Sequence, residues 1–159
     1  MGRGLLPPTC LSLNQTLFVT RLRETPLSIP PLTRILLVED DPDIQTVARL
    51  GLKVVGGFTV EICSSGKEAI QAAPIFAPDL ILLDVMMPGM DGMTTLKALR
   101  ELPQTLATPV IFLTAKVQTH EVAYYKQLGV WDVIAKPFDP MTLSANLNRI
   151  WLQYHAWCP

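Results

Sequence analysis

Five times in succession a short aliphatic run is followed by a stretch with helical spacing, and that alternation restricts the folds open to this chain more than any other feature. The runs are ILLV (35–38), FTVEIC (58–63), LILL (80–83), VIFL (110–113) and VWDVIA (130–135). The first helical stretch carries its apolar positions at Ile44, Val47, Ala48, Gly51 and Val55. The others run from Ser65 toward Ala73, Gly92 to Glu101, Thr119 to Leu128 and Asp139 toward Trp157. Strands apolar along their whole length are covered on both faces, and strict β-α alternation with short connections closes as a parallel sheet between helices. The expected fold is therefore α/β, a doubly wound five-stranded parallel sheet with helices on both faces. Ligands of such sheets bind beyond the carboxyl ends of the strands, where the strand order reverses.

Those strand ends carry the chemistry. Glu39 and Asp40 follow the first strand, Asp84 the third, Thr114 and Ala115 the fourth, and Lys136 and Pro137 the fifth; the second ends in Cys63-Ser64-Ser65, which reads as a helix cap. In ILLVEDDP (35–42) three consecutive acids close the most apolar strand. A helix start accounts for Asp41 as cap, Pro42 at the first helical position and Asp43 in the first turn. It leaves Glu39 and Asp40 unexplained, and desolvated carboxylates without a cation are strongly disfavoured. Glu39, Asp40 and Asp84 together offer the hard oxygen ligands that suit Mg²⁺, with Lys136 as a further positive charge. Zinc does not fit, because His120 and His155 stand apart from the acids. Taken singly, Asp84 could be a cap, Thr114 a capping hydroxyl and Lys136 a solvated lysine; only their ordered recurrence at strand ends argues for a site.

Composition removes several function classes. Thirteen basic and 14 acidic residues give a net charge of -1 with no basic run, which disfavours a nucleic-acid footprint. Cys10, Cys63 and Cys158 are too few and too scattered for a disulfide framework or a zinc set, so a cytoplasmic setting is expected. The apolar segment at 5–19 is broken by Pro7, Pro8, Asn14 and Gln15, and reads as neither signal peptide nor membrane span. Residues 1–32, with five prolines and no sustained period, are expected to form a poorly ordered tail ahead of a single domain at 33–157.

The stretch DVMMPGMDG (84–92) resembles the Asp-x-x-Met-Pro-x-Met-Asp-Gly signature of response-regulator receiver domains. The acidic pair Glu39-Asp40, Thr114-Ala115 and Lys136-Pro137-Phe138 match further pieces of the family pattern in order, as do SGKEAI (65–70) and GVWDVIAKPF (129–138). The resemblance covers about residues 33–153 and implies the flavodoxin-like receiver fold. It also implies a phosphoryl-accepting response regulator in two-component signalling, of the stand-alone single-domain type. Asp84 would take a phosphoryl group from a phosphohistidine on a sensor histidine kinase or phosphotransfer protein. Asp40, Asp84 and the Met86 backbone carbonyl would ligate Mg²⁺, with Glu39 acting through water. Lys136 would pair with the phosphoryl oxygens and Thr114 would turn its hydroxyl toward them. The Lys136-Pro137 bond would be cis, and a protein partner would read the face made by the fourth helix, fifth strand and fifth helix.

Two features depart from the family pattern. Val133, three positions before Lys136, replaces the usual aromatic and cannot swing a ring, which leaves Tyr124, Tyr125 or Trp131 as carriers of any switch. Only QYHAWCP (153–159) follows the fifth helix, so no DNA-binding or enzymatic output module is expected in this chain. The alternatives are a pseudo-receiver that binds partners without phosphorylation, and a Mg²⁺-dependent aspartyl phosphatase or phosphotransferase. The first usually lacks one of the site residues, none of which is missing. The second typically needs an acid two positions after the nucleophile, where Met86 stands. The expected activity is that of a phosphoacceptor acting at most on its own phosphate, not a turnover enzyme. Met86, Met87, Met90 and Met93 read as packing and turn residues, and Trp131, Trp151 and Trp157 as residues of the core or of an exposed face.

Overall fold

The computed structural model describes residues 28–157. Most of the expected tail, with Cys10 and Cys158, therefore lies outside the described residues. Five parallel strands, β1 (Arg34–Val38), β2 (Thr59–Cys63), β3 (Leu80–Asp84), β4 (Val110–Thr114) and β5 (Asp132–Ala135), form one sheet in the order β2-β1-β3-β4-β5. The helices are α1 (Pro42–Arg49), α2 (Gly66–Phe76), α3 (Gly92–Glu101), α4 (Thr119–Gln127) and α5 (Pro140–Trp157). The expected α/β sheet is what the chain forms. Chain order reverses between β1 and β3, which opens a crevice above their carboxyl ends.

Side chains alternate across each strand, so neighbouring apolar residues feed different cores. Ile35 and Leu37 join Leu52, Leu113, Leu147, Ile150 and Trp151 beneath α1 and α5. Leu36 and Val38 join Ala69, Ala73, Leu96, Leu99, Phe112 and Tyr125 beneath α2, α3 and α4. Every residue of β3 and β4 is buried, which explains why their sequences show no polar alternation.

Asp41 caps α1 as expected, accepting from the backbone N–H groups of Asp43 and Ile44. The expected regular helix through Val55 is not formed: residues Leu50–Val55 continue as a π-helix. The wider turn closes with the Gly56 N–H on the Gly51 carbonyl, 3.0 Å away, and buries Leu52 while Val47 and Val55 stay exposed. Close packing on α5 requires glycine at 51, since a Cβ there would lie 2.7 Å from the Pro140 carbonyl oxygen. The ordered body also starts before Arg34. Leu32 is buried, and the Trp151 indole N–H donates to the Pro30 carbonyl at 2.7 Å. Asp79 then fixes the entry into β1, its Oδ2 accepting from the Thr33 and Arg34 backbone N–H groups and the Thr33 hydroxyl. Trp131 packs edge-on against Tyr154, whereas Trp157 is exposed. Among the described residues no helix is long and apolar enough to cross a membrane.

Candidate functional site

Glu39 extends the β1 ladder by one residue, its N–H donating to the Cys63 carbonyl at 3.0 Å, and this places its carboxylate at the sheet edge, fully buried. Asp84, the last residue of β3, is 2% exposed and emerges from the same edge. Asp40, on the turn between them and α1, completes a group whose carboxylate oxygens all lie within 4.8 Å of one another. Lys136, just past β5, reaches over this group. Its Nζ lies 3.0 Å from Glu39 Oε2 and 3.0 Å from Asp84 Oδ1. The Lys136-Pro137 bond is cis. Of the expected site residues, Glu39, Asp40, Asp84 and Lys136 are thus brought together.

The loop after β3 is shaped by glycines. Gly89 holds φ +75, a region that side-chain-bearing residues avoid. At Gly92 a Cβ would fall 2.3 Å from the Asp84 carbonyl oxygen, so only glycine lets α3 start this close to β3. Within this loop the Met86 N–H donates to Asp84 Oδ1 at 3.2 Å, and the Met86 side chain is 70% exposed at the mouth of the site. Met87 is buried, as a packing residue should be.

Thr114 closes β4 nearly buried. Its hydroxyl accepts from the Lys116 N–H at 3.0 Å, the local capping bond available to a threonine at a strand end. Ala115 is exposed beside it, and Val133 packs against the core under α4, away from the acids. Sequence reasoning missed Gln45, whose Nε2 donates to the Glu39 carbonyl at 2.6 Å and to Ser64 Oγ at 3.1 Å, tying α1 to both β1 and β2. No motif marks that residue. Also missed was a groove of about 510 Å³ beside Lys136, walled by Ile44, Val47, Pro137 and Phe138.

Electrostatics at the edge are unbalanced. Burial, together with the Asp84 charge, pushes the Glu39 carboxyl up to about 7, although the Asp41 N–H and Lys136 both work in the opposite direction. Burial also disfavours the Lys136 ammonium, but its hydrogen bonds to Glu39 and Asp84 and their charges outweigh that and hold its pKa above the ordinary lysine value. One lysine against three close carboxylates leaves room for further positive charge. The donor set is all hard oxygen, with no His or Cys ligand, and so fits Mg²⁺.

Comparison with known proteins agrees with this geometry. Residues 35–148 match the family described as "Response regulator receiver domain". The DNA-binding response regulator MtrA of Mycolicibacterium smegmatis is 36% identical over 115 residues, 72% of this chain and 49% of that protein. The chain spans about half the length of the curated relatives it matches. That relative's name means that the expected lack of a nucleic-acid partner does not extend to the relatives. Among solved structures, the chemotaxis protein CheY4 of Vibrio cholerae superposes with a TM-score of 0.70 at 32% identity, covering 76% of this chain and 99% of that one. The receiver domain of sensor histidine kinase PA1611 from Pseudomonas aeruginosa, described with a magnesium ion coordinated in its active-site cleft, gives 0.66 at 32% identity, with 79% and 99% covered.

Proposed function

The chain belongs to the response regulator receiver domain family, and on that premise we propose that it is a phosphoryl-accepting switch with Asp84 as acceptor. The observation that carries this reading is the cluster of Glu39, Asp40 and Asp84 within 4.8 Å, bridged by Lys136. Residues 33–157 form the receiver unit in this reading, and it works in the cytoplasm, in keeping with the free, buried Cys63 thiol.

A carboxylate oxygen of Asp84 attacks the phosphorus of a phosphohistidine. The new O–P bond forms as the P–N bond breaks, and the electron pair stays on the imidazole nitrogen. Phosphoryl transfer of this kind depends on positioning and charge neutralisation more than on covalent help from the protein. Asp40, Asp84 and the Met86 carbonyl would hold Mg²⁺ directly and Glu39 through water; the ion would neutralise charge on the transferred oxygens. Lys136, already 3.0 Å from Asp84, contributes a second positive charge to those oxygens. Thr114 exchanges its bond with Lys116 for one to the phosphoryl group. The donor, a sensor histidine kinase or phosphotransfer protein, approaches along the groove beside Lys136, and a protein partner reads the result on the face of α4, β5 and α5. Any hydrolysis acts on the protein's own phosphate.

Intact-mass measurement after incubation with Mg²⁺ and acetyl phosphate tests this reading. A single phosphoryl adduct, absent when EDTA is present throughout the incubation and absent from Asp84→Asn, is the expected result. No adduct with acetyl phosphate, phosphoramidate or a phosphohistidine protein would overturn it in favour of a pseudo-receiver.

A further inference from the structure

Gln45 lies in the first turn of α1, and its Nε2 donates to the Glu39 carbonyl at 2.6 Å and to Ser64 Oγ at 3.1 Å. The nitrogen must be the atom on this side, because a carbonyl oxygen can only accept. Along β1 the ladder to β2 ends with the Glu39 N–H on the Cys63 carbonyl. β2 stops at Cys63 and Ser65 turns away to cap α2, so the Gln45 amide meets the carbonyl that the ladder leaves behind. Ser64 is held in turn, its N–H donating to Glu68 Oε2 at 2.7 Å.

That carbonyl matters because of what shares its peptide. The Glu39 C=O and the Asp40 N–H lie in one plane, so a bond that fixes the first fixes the second. On the other side of Asp40, the Asp41 N–H donates to Glu39 Oε1 at 3.1 Å and the Asp41 side chain caps α1. Among the described residues no hydrogen bond holds the Asp40 carboxylate itself, so its aim comes from the backbone on either side. It is nonetheless aimed, with its oxygens within 4.8 Å of those of Glu39 and Asp84.

We propose that Gln45 is a positioning residue: by fixing the Glu39–Asp40 peptide it aims Asp40, and so sets how tightly the acidic group takes Mg²⁺. This rests on the reading of Glu39, Asp40 and Asp84 as a Mg²⁺ site given above. Gln45 bonds none of the three carboxylates and acts on them only through the backbone. Groups that stand behind a metal ligand hold it in the geometry the ion demands, and Mg²⁺ tolerates little departure from octahedral coordination. A ligand held by no bond of its own depends most on such support.

A Mg²⁺ titration of the full chain, followed by NMR at amides 39–41 and 84–86 with no phosphoryl donor present, tests this. Gln45→Met keeps the length of the side chain and removes the donor; it should weaken Mg²⁺ binding roughly fivefold, the worth of one neutral hydrogen bond. Gln45→Ala serves in its place should the methionine variant not fold. Ser64→Ala removes the tie to β2 but leaves the bond to Glu39, and should bind Mg²⁺ within about twofold of wild type. With acetyl phosphate, Gln45→Met should need more Mg²⁺ for half-maximal adduct formation, its rate returning toward the wild-type value as Mg²⁺ saturates. Unchanged affinity in both Gln45 variants overturns the proposal. So does a Ser64→Ala as weak as Gln45→Met, since Gln45 would then act only by tying α1 to β2. A wild type with no Mg²⁺-dependent shift overturns the metal reading and this proposal with it, whereas one that binds Mg²⁺ but forms no adduct overturns the phosphoacceptor reading alone.

Discussion

Glu39 and Lys136 stand 97 positions apart in the chain, on strands separated in the sheet by β3 and β4, yet Lys136 Nζ lies 3.0 Å from Glu39 Oε2. The lysine crosses above the carboxylate of Asp84 to make this contact and bonds it on the way. One ammonium thus joins the first and last strands over the site.

Removing that ammonium should be costly. Lys136→Met leaves two buried carboxylates without their cation, and urea unfolding in EDTA at pH 8 should show a loss of roughly 3 kcal/mol, the lower end of the cost of breaking a buried pair. Added Mg²⁺ should recover part of it. Equal stability of variant and wild type would mean that the bridge contributes nothing net.

The raised Glu39 carboxyl sets a pH dependence for the metal-free protein. With a folded value of about 7 against an ordinary 4.5, the folded state binds a proton that the unfolded state releases between those values. Stability from this group is therefore complete below about pH 4.5 and is lost as pH rises through about 7. Thermal unfolding in EDTA between pH 5 and 8 should show the wild type falling relative to Glu39→Gln as pH rises. Mg²⁺ should flatten that trend, because it favours the ionised carboxylate.

Gly92→Ala would drive a methyl into the Asp84 carbonyl. A loss of about 1–3 kcal/mol is expected, the range for forced overpacking, together with slower formation of the acetyl phosphate adduct as the loop shifts away from Asp84. Calorimetry and the time course of adduct formation measure the two effects separately.

Cys63 should be chemically silent in the folded protein. Burial, and then the charges of Glu61 and Glu68, push its thiol up to about 11, and it is 2% exposed. Peptide mapping after iodoacetamide at pH 8 should find it alkylated only when denaturant is present.

The sheet and its site edge were legible because each rests on a local rule. An apolar run bounded by acids or lysine marks both a buried strand and its functional end, so the sequence alone puts Glu39, Asp40, Asp84, Thr114 and Lys136 on one edge. What escaped depends on contacts between distant segments. The π-turn at Leu50–Val55 is one such case: a 3.6-residue pattern looks the same whether or not one turn widens, and the widening accompanies close packing of Gly51 on Pro140. Gln45 is another, its side chain deriving its meaning from the Glu39 carbonyl and Ser64, which only the fold brings within reach. Leu32 stands next to two prolines and reads as tail, whereas it is buried in the core that Trp151 of α5 shares.

The bond from Trp151 to Pro30 has a practical side. It holds the incoming chain against α5 ahead of β1, so residue 28 and the last turn of α5 both leave at the rim of the sheet opposite the acids. A fluorophore, affinity handle or surface linker attached at either end would leave the acidic rim and its groove facing outward. Immobilised in this way, the protein would present the Glu39, Asp40 and Asp84 cluster to solution.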